Sequence, residues 1–195
     1  MAKPFLFLLT ACTVFLHPSS STDNIGVNYG TLADNLPTPS TVSSFLNSQT
    51  TINKIKLFDT NPDILRAFAH TGISLTVTLP NADIPSLSTV PSAQSWLSTN
   101  LLPFLPHTSV NRIAVGNEVL ATSDKTLIAH LLPAMQSLHQ ALTLANLSHV
   151  QVSTPHSLGI LSSSEPPSAA LSDVATTAQS SFLFWNSTAK PNPLL

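Results

Sequence analysis

Short apolar runs alternate with helix-favouring stretches along most of the chain, and this alternation restricts the fold more than any other feature of the sequence. The strand-like runs cover residues 25–29, 52–58, 74–79, 112–115 and 150–153. The segments that favour helices cover residues 39–46, 63–69, 92–102 and 126–147. Strands that alternate with helices at this spacing predict βα units, whose strands pair in parallel. We therefore expect an α/β protein built on a parallel sheet.

The number and length of these units match a (β/α)-barrel. Five units occupy about 130 residues, whereas a closed barrel takes eight units and about 250 residues. The strand-like runs are apolar for most of their length, as strands are when both faces of a sheet are covered. From Ser162 onward the sequence becomes rich in Ser, Pro and Ala and loses its period. We therefore expect a (β/α)8 TIM-barrel fold that is incomplete here, with about five of the eight βα units.

The longest helical segment carries an apolar stripe. Leu131, Met135, Leu138 and Leu142 follow one another at spacings of four, three and four residues. This spacing places them on one face of a helix, which indicates a core-facing surface. Pro133 interrupts the pattern, so we expect the helix to begin near it or to be kinked there.

The first residues have the layout of a secretory signal peptide. Lys3 supplies a positive charge, residues 5–16 form an apolar run too short to span a bilayer, and Pro18 with small residues follows. The alternative is a buried N-terminal helix. The only cysteine, Cys12, lies in this segment, so the mature chain would have no disulfide and no cysteine-ligated metal. We expect a signal peptide at residues 1–22, a folded part at 23–195, and a protein secreted to the extracellular space or cell wall.

Charge is sparse, which excludes some partners. Charged residues make up 8% of the chain and the formal net charge is -2. No basic stripe exists that could neutralise phosphates, so nucleic acid is excluded as a partner. No segment is long and apolar enough to predict a membrane span. Asn146 and Asn186 begin Asn-x-Ser/Thr triplets, which are N-glycosylation acceptors in a secreted chain.

Candidate catalytic residues follow from the barrel, because barrel enzymes carry their chemistry at the C-terminal ends of the strands. The side chains at these ends are Tyr29, Asp59, Asn81, Asn117, Glu118, Thr154 and His156. Glu118 comes directly after an apolar strand, where low-dielectric surroundings favour the protonated carboxyl that a general acid needs. The alternative is a glutamate at a helix start, favoured there by the helix dipole. The only other glutamate, Glu165, precedes two prolines and is expected to be solvated.

Other chemistries lack their motifs. The chain has no G-x-S-x-G nucleophile elbow and no H-E-x-x-H zinc motif. Its five glycines and seven histidines are scattered, so neither a phosphate-binding loop nor a histidine metal site is indicated. We expect neither a metal nor a cofactor.

Five motifs occur in an order that is specific to one family. They are IGVNYG at 25–30, IKLFD at 55–59, VGNEV at 115–119, LLPAM at 131–135 and VSTPHS at 152–157. In this order they resemble glycoside hydrolase family seventeen, the plant endo-1,3-β-glucanases. The match runs from residue 25 to about residue 168. By this resemblance residues 23–195 are the N-terminal part of a glycosidase barrel.

The resemblance implies roles for individual residues. It implies retaining hydrolysis of 1,3-β-glucan, with Glu118 as the general acid/base that protonates the leaving oxygen and then deprotonates the attacking water. Asn117 is implied to hydrogen-bond the sugar near its 2-hydroxyl, and Tyr29 to line the subsite at the scissile bond. Phe58 stands where the family usually has Tyr, whereas Asp59 keeps the family pattern and is either structural or part of the site.

The family's nucleophile has no counterpart in the chain. Neither its Glu-x-Gly-Trp-Pro-like motif nor its Tyr-Pro-Tyr sixth strand occurs. A retaining glycosidase needs two carboxyl groups about 5 Å apart. We therefore expect a truncated chain that does not hydrolyse glucan alone. The alternative from another class is a non-catalytic extracellular β-glucan-binding protein, and a third possibility is another secreted barrel glycosidase of different linkage specificity.

Overall fold

Five parallel strands form one sheet in chain order. The computed structural model describes residues 25–157, 161–169 and 171–172. The strands of this sheet are β1 (Ile25–Tyr29), β2 (Ile52–Leu57), β3 (Ser74–Leu79), β4 (Val110–Val115) and β5 (Gln151–Ser153). Each strand pairs in parallel with the next along the chain. The predicted βα order and parallel sheet are confirmed, and five strands of this kind are part of a TIM barrel.

Helices connect the strands and begin at capping residues. They are α1 (Pro39–Gln49), α2 (Pro62–Ala67), α3 (Val90–Asn100) and α4 (Lys125–Leu144), with short 3-10 segments at Asn81–Leu87 and Val119–Ala121. A polar side chain accepts hydrogen bonds from the first-turn N–H groups of each α-helix, and these caps are Thr38, Asn61, Thr89 and Asp124. Such caps satisfy donors that have no partner within the helix, which fixes where each helix starts.

Helix α4 contains the predicted apolar stripe. Leu131, Met135, Leu138 and Leu142 are all buried. The prediction that this helix begins near Pro133 is wrong, since α4 begins at Lys125 and contains Pro133 in its interior. The Asp124 cap sets the earlier start, and the buried stripe on both sides of the proline holds the helix against the core.

The two faces of the sheet differ in character. In β2, Ile55 and Leu57 are buried, whereas Lys54 is exposed and Lys56 is half-buried. Successive side chains of a strand point to opposite faces, and the strand register aligns the polar positions with one another. We call this surface the inner face; its polar members are Asn28, Lys54, Lys56, Ser74, Thr76, Thr78, Arg112, Gln151 and Ser153. The expectation that strands are apolar on both faces is therefore wrong, because only the face against the helices is apolar.

The hydrophobic core lies between the helices and the other face of the sheet. Its largest side chains include Phe68 and Ile64 from the region of α2, Leu75 from β3, Leu97 from α3 and Met135 from α4, each at most 1% exposed. Burying a side chain of this size contributes about 1.5–3 kcal/mol. The core thus fixes the strands from one side and leaves the inner face polar.

Beyond β5 the described chain forms a separate two-stranded antiparallel pair. Its strands are β6 (Leu161–Ser163) and β7 (Leu171–Ser172), joined through a 3-10 segment at Pro167–Ala169. Glu165 is exposed in this connection, which confirms the prediction that it is solvated. This pair does not belong to the five-stranded sheet.

Some sequence predictions concern residues that the structure does not describe. The signal segment 1–22 and the acceptor Asn186 lie outside the described residues. Asn146 is exposed just beyond the end of α4, at a positive φ of 59° that asparagine tolerates at this position. Among the helices that the structure describes, none is both long and apolar enough to cross a membrane.

Candidate active site

The predicted site residues lie at the ends of β1, β2, β3 and β4. Because the strands are parallel and in chain order, these ends share one edge of the sheet. Tyr29 ends β1, Phe58 follows β2, Asn81 follows β3, and Asn117 and Glu118 follow β4. The structure therefore brings these five positions to the edge where barrel enzymes carry their chemistry.

Gly116 makes the tight turn that leaves β4. Its φ is 72°, a left-handed conformation that side chains rarely adopt. A Cβ atom here would lie 2.8 Å from Asn81 Oδ1 and 2.8 Å from Ile84 Cδ1, and closer still to a methyl group of Val119. Glycine is thus required, and its absent side chain lets the loop pack against the segment that follows β3.

Asn81 holds the backbone of Asn117 on both sides of the residue. Asn117 N–H donates to Asn81 Oδ1 at 2.7 Å, and Asn81 Nδ2 donates to the Asn117 carbonyl oxygen at 3.2 Å. The Gly116 N–H also donates to the Leu79 carbonyl oxygen at 2.8 Å, which continues the β3–β4 pairing into the loop. These bonds tie the start of the loop after β4, which carries Asn117 and Glu118, to the end of the neighbouring strand.

Glu118 extends from this loop in an unusual conformation. Its φ is 50°, in the left-handed region, and its side chain is exposed. It precedes the 3-10 segment Val119–Ala121, but its carboxylate makes no capping hydrogen bond to that segment. The alternative of a helix-start glutamate is therefore borne out in position, although the side chain does not cap the segment. The expected low-dielectric surroundings are not found for the side chain, since Asn117 and Glu118 are both exposed even though Gly116 and Val119 on either side of them are buried.

Lys56 is a site residue that the sequence analysis did not select. Its Nζ donates to Asn117 Oδ1 at 3.2 Å and lies 4.1 Å from the centroid of the Phe58 ring. Desolvation lowers the pKa of Lys56 from its ordinary value, and the negative charge of Glu118 opposes part of that change. A basic residue on the inner face one position before the strand end was the available signal.

Tyr29 and Asp59 are held by neighbouring groups. The Tyr29 ring meets Phe68 edge-on, with centroids 6.3 Å apart, and burial raises the Tyr29 pKa. Its register partner is the buried Leu57, so the ring belongs to the helix-covered side of the sheet. Asp59 Oδ1 accepts from the Asn61 N–H at 3.0 Å, which supports a structural role in the turn before α2. A sugar contact by Tyr29 stays a prediction.

The end of β5 reaches the same edge. Thr154 is buried, and its hydroxyl has no hydrogen-bond partner among the described residues. Desolvation lowers the pKa of His156 from its ordinary value, although its side chain is exposed. Within the described ranges no three acidic, histidine or cysteine side chains come together as metal ligands would.

Comparison with known proteins decides the family. The sequence profile of glycosyl hydrolases family 17 matches residues 25–192, which is most of the chain. The chain belongs to glycosyl hydrolases family 17. The predicted resemblance is thereby confirmed. Asn117 and Glu118 lie inside the matched region, at the end of a barrel strand.

Curated relatives in this family are plant proteins. A glucan endo-1,3-beta-glucosidase of Triticum aestivum is 47% identical over 164 residues, which cover 82% of this chain and 36% of the relative. Glucan endo-1,3-beta-glucosidase 11 of Arabidopsis thaliana is 45% identical over 165 residues, covering 84% of this chain and 38% of the relative. The chain thus spans somewhat over a third of the length of these relatives.

Solved family 17 structures share the fold. CJP38, a beta-1,3-glucanase and allergen of Cryptomeria japonica pollen, matches with a TM-score of 0.80 and 35% identity over 87% of this chain and 54% of that one. A structure described under two plant beta-glucan endohydrolases with distinct substrate specificities matches with a TM-score of 0.73 and 37% identity, covering 79% of this chain and 49% of that one. The TIM-barrel prediction is confirmed, with five strands of the barrel present in the described residues.

Proposed function

We propose that this chain carries the general acid/base half of a family 17 site that hydrolyses 1,3-β-glucan outside the cell. The observation that carries the proposal is the Asn117–Glu118 pair, held at the end of β4 by two hydrogen bonds between the Asn81 side chain and the Asn117 backbone. Its relatives are named glucan endo-1,3-beta-glucosidases, which supports 1,3-β-glucan as the substrate.

In this proposal Glu118 acts twice. It first protonates the glycosidic oxygen of the leaving sugar, and it then removes a proton from the water that attacks the glycosyl-enzyme ester. Among the described residues the exposed Glu118 carboxylate makes no capping hydrogen bond that it would have to break to reach that oxygen, which supports the role. Asn117 contributes its side-chain amide to the sugar near the 2-hydroxyl, and Tyr29 lines the subsite at the scissile bond.

Retention also requires a nucleophilic carboxylate about 5 Å from the acid. Among the described residues, Asp59 is engaged by its own turn and Glu165 is exposed beyond β6. Neither arrangement supports a nucleophile opposite Glu118. Catalysis in this proposal therefore draws its nucleophile from outside the described residues.

A second candidate is binding without cleavage. The engagement of Asp59 in its own turn and the exposed position of Glu165 beyond β6 favour it for this polypeptide by itself. In that case the chain holds 1,3-β-glucan through Asn117 and Tyr29, and Glu118 has no catalytic partner.

One experiment tests whether Glu118 serves as an acid once a nucleophile is supplied. Residues 25–172 are joined to the remaining strands of the Cryptomeria japonica glucanase, and reducing ends released from soluble 1,3-β-glucan are measured, with a soluble 1,4-β-glucan as control. The proposal expects release from the 1,3-linked polymer and little from the 1,4-linked one. Binding of the 1,3-linked polymer without release would favour the binding candidate, and preference for the 1,4-linked polymer would contradict the substrate assignment.

A further inference from the structure

Lys56 occupies the inner face of the sheet, directly beside the loop after β4 that carries Asn117 and Glu118. The register aligns it with Asn28 of β1 and Thr76 of β3. Thr78 Oγ1 donates to the Leu57 carbonyl oxygen at 2.6 Å, and this buried bond fixes the end of the strand that carries Lys56. The base of the side chain is therefore held by the sheet, and its ammonium reaches the loop after β4.

Two contacts define where the ammonium lies. Its Nζ is 3.2 Å from Asn117 Oδ1, across 61 residues of sequence, and 4.1 Å from the centroid of the Phe58 ring. A cation over an aromatic face is held by the ring quadrupole, so Phe58 limits how far the ammonium can move. Phe58 itself is 44% exposed, which leaves part of its ring open beside the site.

The contact with Asn117 settles which way its amide points. An ammonium group can only donate hydrogen bonds, so the amide oxygen of Asn117 must face Lys56. The amide nitrogen is then directed away from Lys56, and no hydrogen bond joins it to any other described residue. Since Asn81 fixes the Asn117 backbone and Lys56 holds its side-chain oxygen, the amide nitrogen is the part of Asn117 that is left for a ligand.

Charge supports the same arrangement. Burial disfavours the charged form of Lys56, and the charge of Glu118 favours it. The ammonium thus lies within the field of the carboxylate while donating to its sequence neighbour. Lys56 therefore interacts with both residues that the proposed chemistry uses, with Asn117 through a hydrogen bond and with Glu118 through its charge.

We propose that Lys56 is a positioning residue of the glucan site. Its ammonium holds the amide oxygen of Asn117 and thereby presents the amide nitrogen as a donor to a hydroxyl of a bound 1,3-β-linked glucose unit. The part concerning the sugar rests on the function proposed above; the part concerning the orientation of Asn117 does not.

The binding experiment uses the full chain expressed in a secreting host and a 1,3-β-linked glucose hexamer as the probe. Lys56→Met keeps the length of the side chain and removes the charge, Lys56→Arg restores a cationic donor, and Lys54→Met is the matched control on the same face of β2. Titration calorimetry should give a dissociation constant raised roughly tenfold by Lys56→Met, as for loss of a charge-assisted hydrogen bond that orients a ligand contact. Lys56→Arg should recover most of the affinity, and Lys54→Met should leave it unchanged. Wild-type affinity in the Lys56→Met variant, with its fold verified by circular dichroism, would overturn the proposal.

A second measurement needs no ligand. The side-chain amide resonances of Asn117, assigned by their loss in Asn117→Asp, should shift in Lys56→Met and stay in place in Lys54→Met. If the wild-type chain does not bind the hexamer, the proposed glucan substrate fails, while this measurement still decides whether Lys56 orients Asn117. Unchanged Asn117 resonances in Lys56→Met would refute the positioning role whatever the affinity.

Discussion

The side chain of Asn81 forms two hydrogen bonds to the backbone of Asn117, at 2.7 Å to its N–H and at 3.2 Å to its carbonyl oxygen. The two residues are 36 positions apart and follow adjacent strands. One amide thus fixes the peptide groups on both sides of the residue that precedes Glu118.

Asn81→Ala should impair the site more than the fold. The two bonds are solvent-accessible, so their loss should cost about 1 kcal/mol of unfolding free energy. In the barrel completed with the Cryptomeria japonica strands, kcat/KM should fall by more than roughly tenfold, because a loop that moves loses the alignment of its acid. Asn81→Asp keeps the acceptor for the Asn117 N–H and removes the donor, so its effect should be intermediate. A large loss of stability with unchanged kcat/KM would contradict the positioning role of Asn81.

Gly116→Ala should destabilise the protein by about 1–3 kcal/mol, because the φ of 72° is strained for alanine and its Cβ would collide with Asn81, Ile84 and Val119. Gly30→Ala is the matched control, since no atom lies within 4 Å of the position of its Cβ. Urea unfolding of both variants measures the difference. Equal stabilities in the two variants would show that the turn at Gly116 is not tight.

The strand ends could be predicted from the sequence because apolar runs end at polar residues. That rule found Glu118, Asn117 and Asn81 and placed them at one edge of a parallel sheet. It could not pair Asn81 with Asn117 or Lys56 with Asn117, because those contacts depend on the register of β2, β3 and β4 and span 36 and 61 residues. Long-range hydrogen bonds of this kind leave no local pattern.

The polar face of the strands has a signal in the sequence, which the apolar average of each run obscures. SLTVTL alternates polar and apolar residues, and this places Thr76 and Thr78 on one face of the strand. The register then shows that this face is shared with Lys56. Pro133 predicted too late a start for α4. The Asp124 cap and tertiary packing outweigh the local preference of proline for helix starts. Predictions based on spacing therefore held for the elements, the strand ends and the buried face of α4, and failed for the start of α4 and for strands that are apolar on both faces.

Lys56→Met should not reduce the stability of the fold at pH 7. Desolvation is the largest influence on the Lys56 pKa and lowers it, so folding disfavours the ammonium on balance. Just below the ordinary pKa of 10.5, the unfolded wild-type chain binds more protons than the folded one, and its stability should rise with pH relative to Lys56→Met. Urea unfolding at several pH values between neutrality and pH 10 measures this trend. If the stability of wild type relative to Lys56→Met falls with rising pH, folding raises the Lys56 pKa and the predicted direction is wrong.

Export should remove the N-terminal segment and leave Asn146 open to glycosylation. N-terminal sequencing of the secreted product should find a start between about Ser20 and Ile25, within the usual length of a signal peptide. Asn146 is exposed, so treatment with an N-glycosidase should reduce the mass of the product, and Asn146→Gln should reduce that change. A product that stays in the cytosol with Met1 in place would contradict the prediction of secretion.

The general-acid role of Glu118 is tested most directly by Glu118→Gln in the barrel completed with the Cryptomeria japonica strands, whose structure matches this chain with a TM-score of 0.80. The matched control is Glu165→Gln, the same change at an exposed carboxylate. Turnover is measured on 1,3-β-glucan and on a dinitrophenyl 1,3-β-glucoside, whose leaving group needs no proton. Glu118→Gln should lower kcat on the glucan by about a hundredfold or more, as for other positioned acids, while leaving binding nearly intact. It should affect formation of the glycosyl-enzyme from the dinitrophenyl substrate far less, because that leaving group needs no proton. Unchanged turnover of 1,3-β-glucan by Glu118→Gln, or an equal loss in Glu165→Gln, would contradict the assignment.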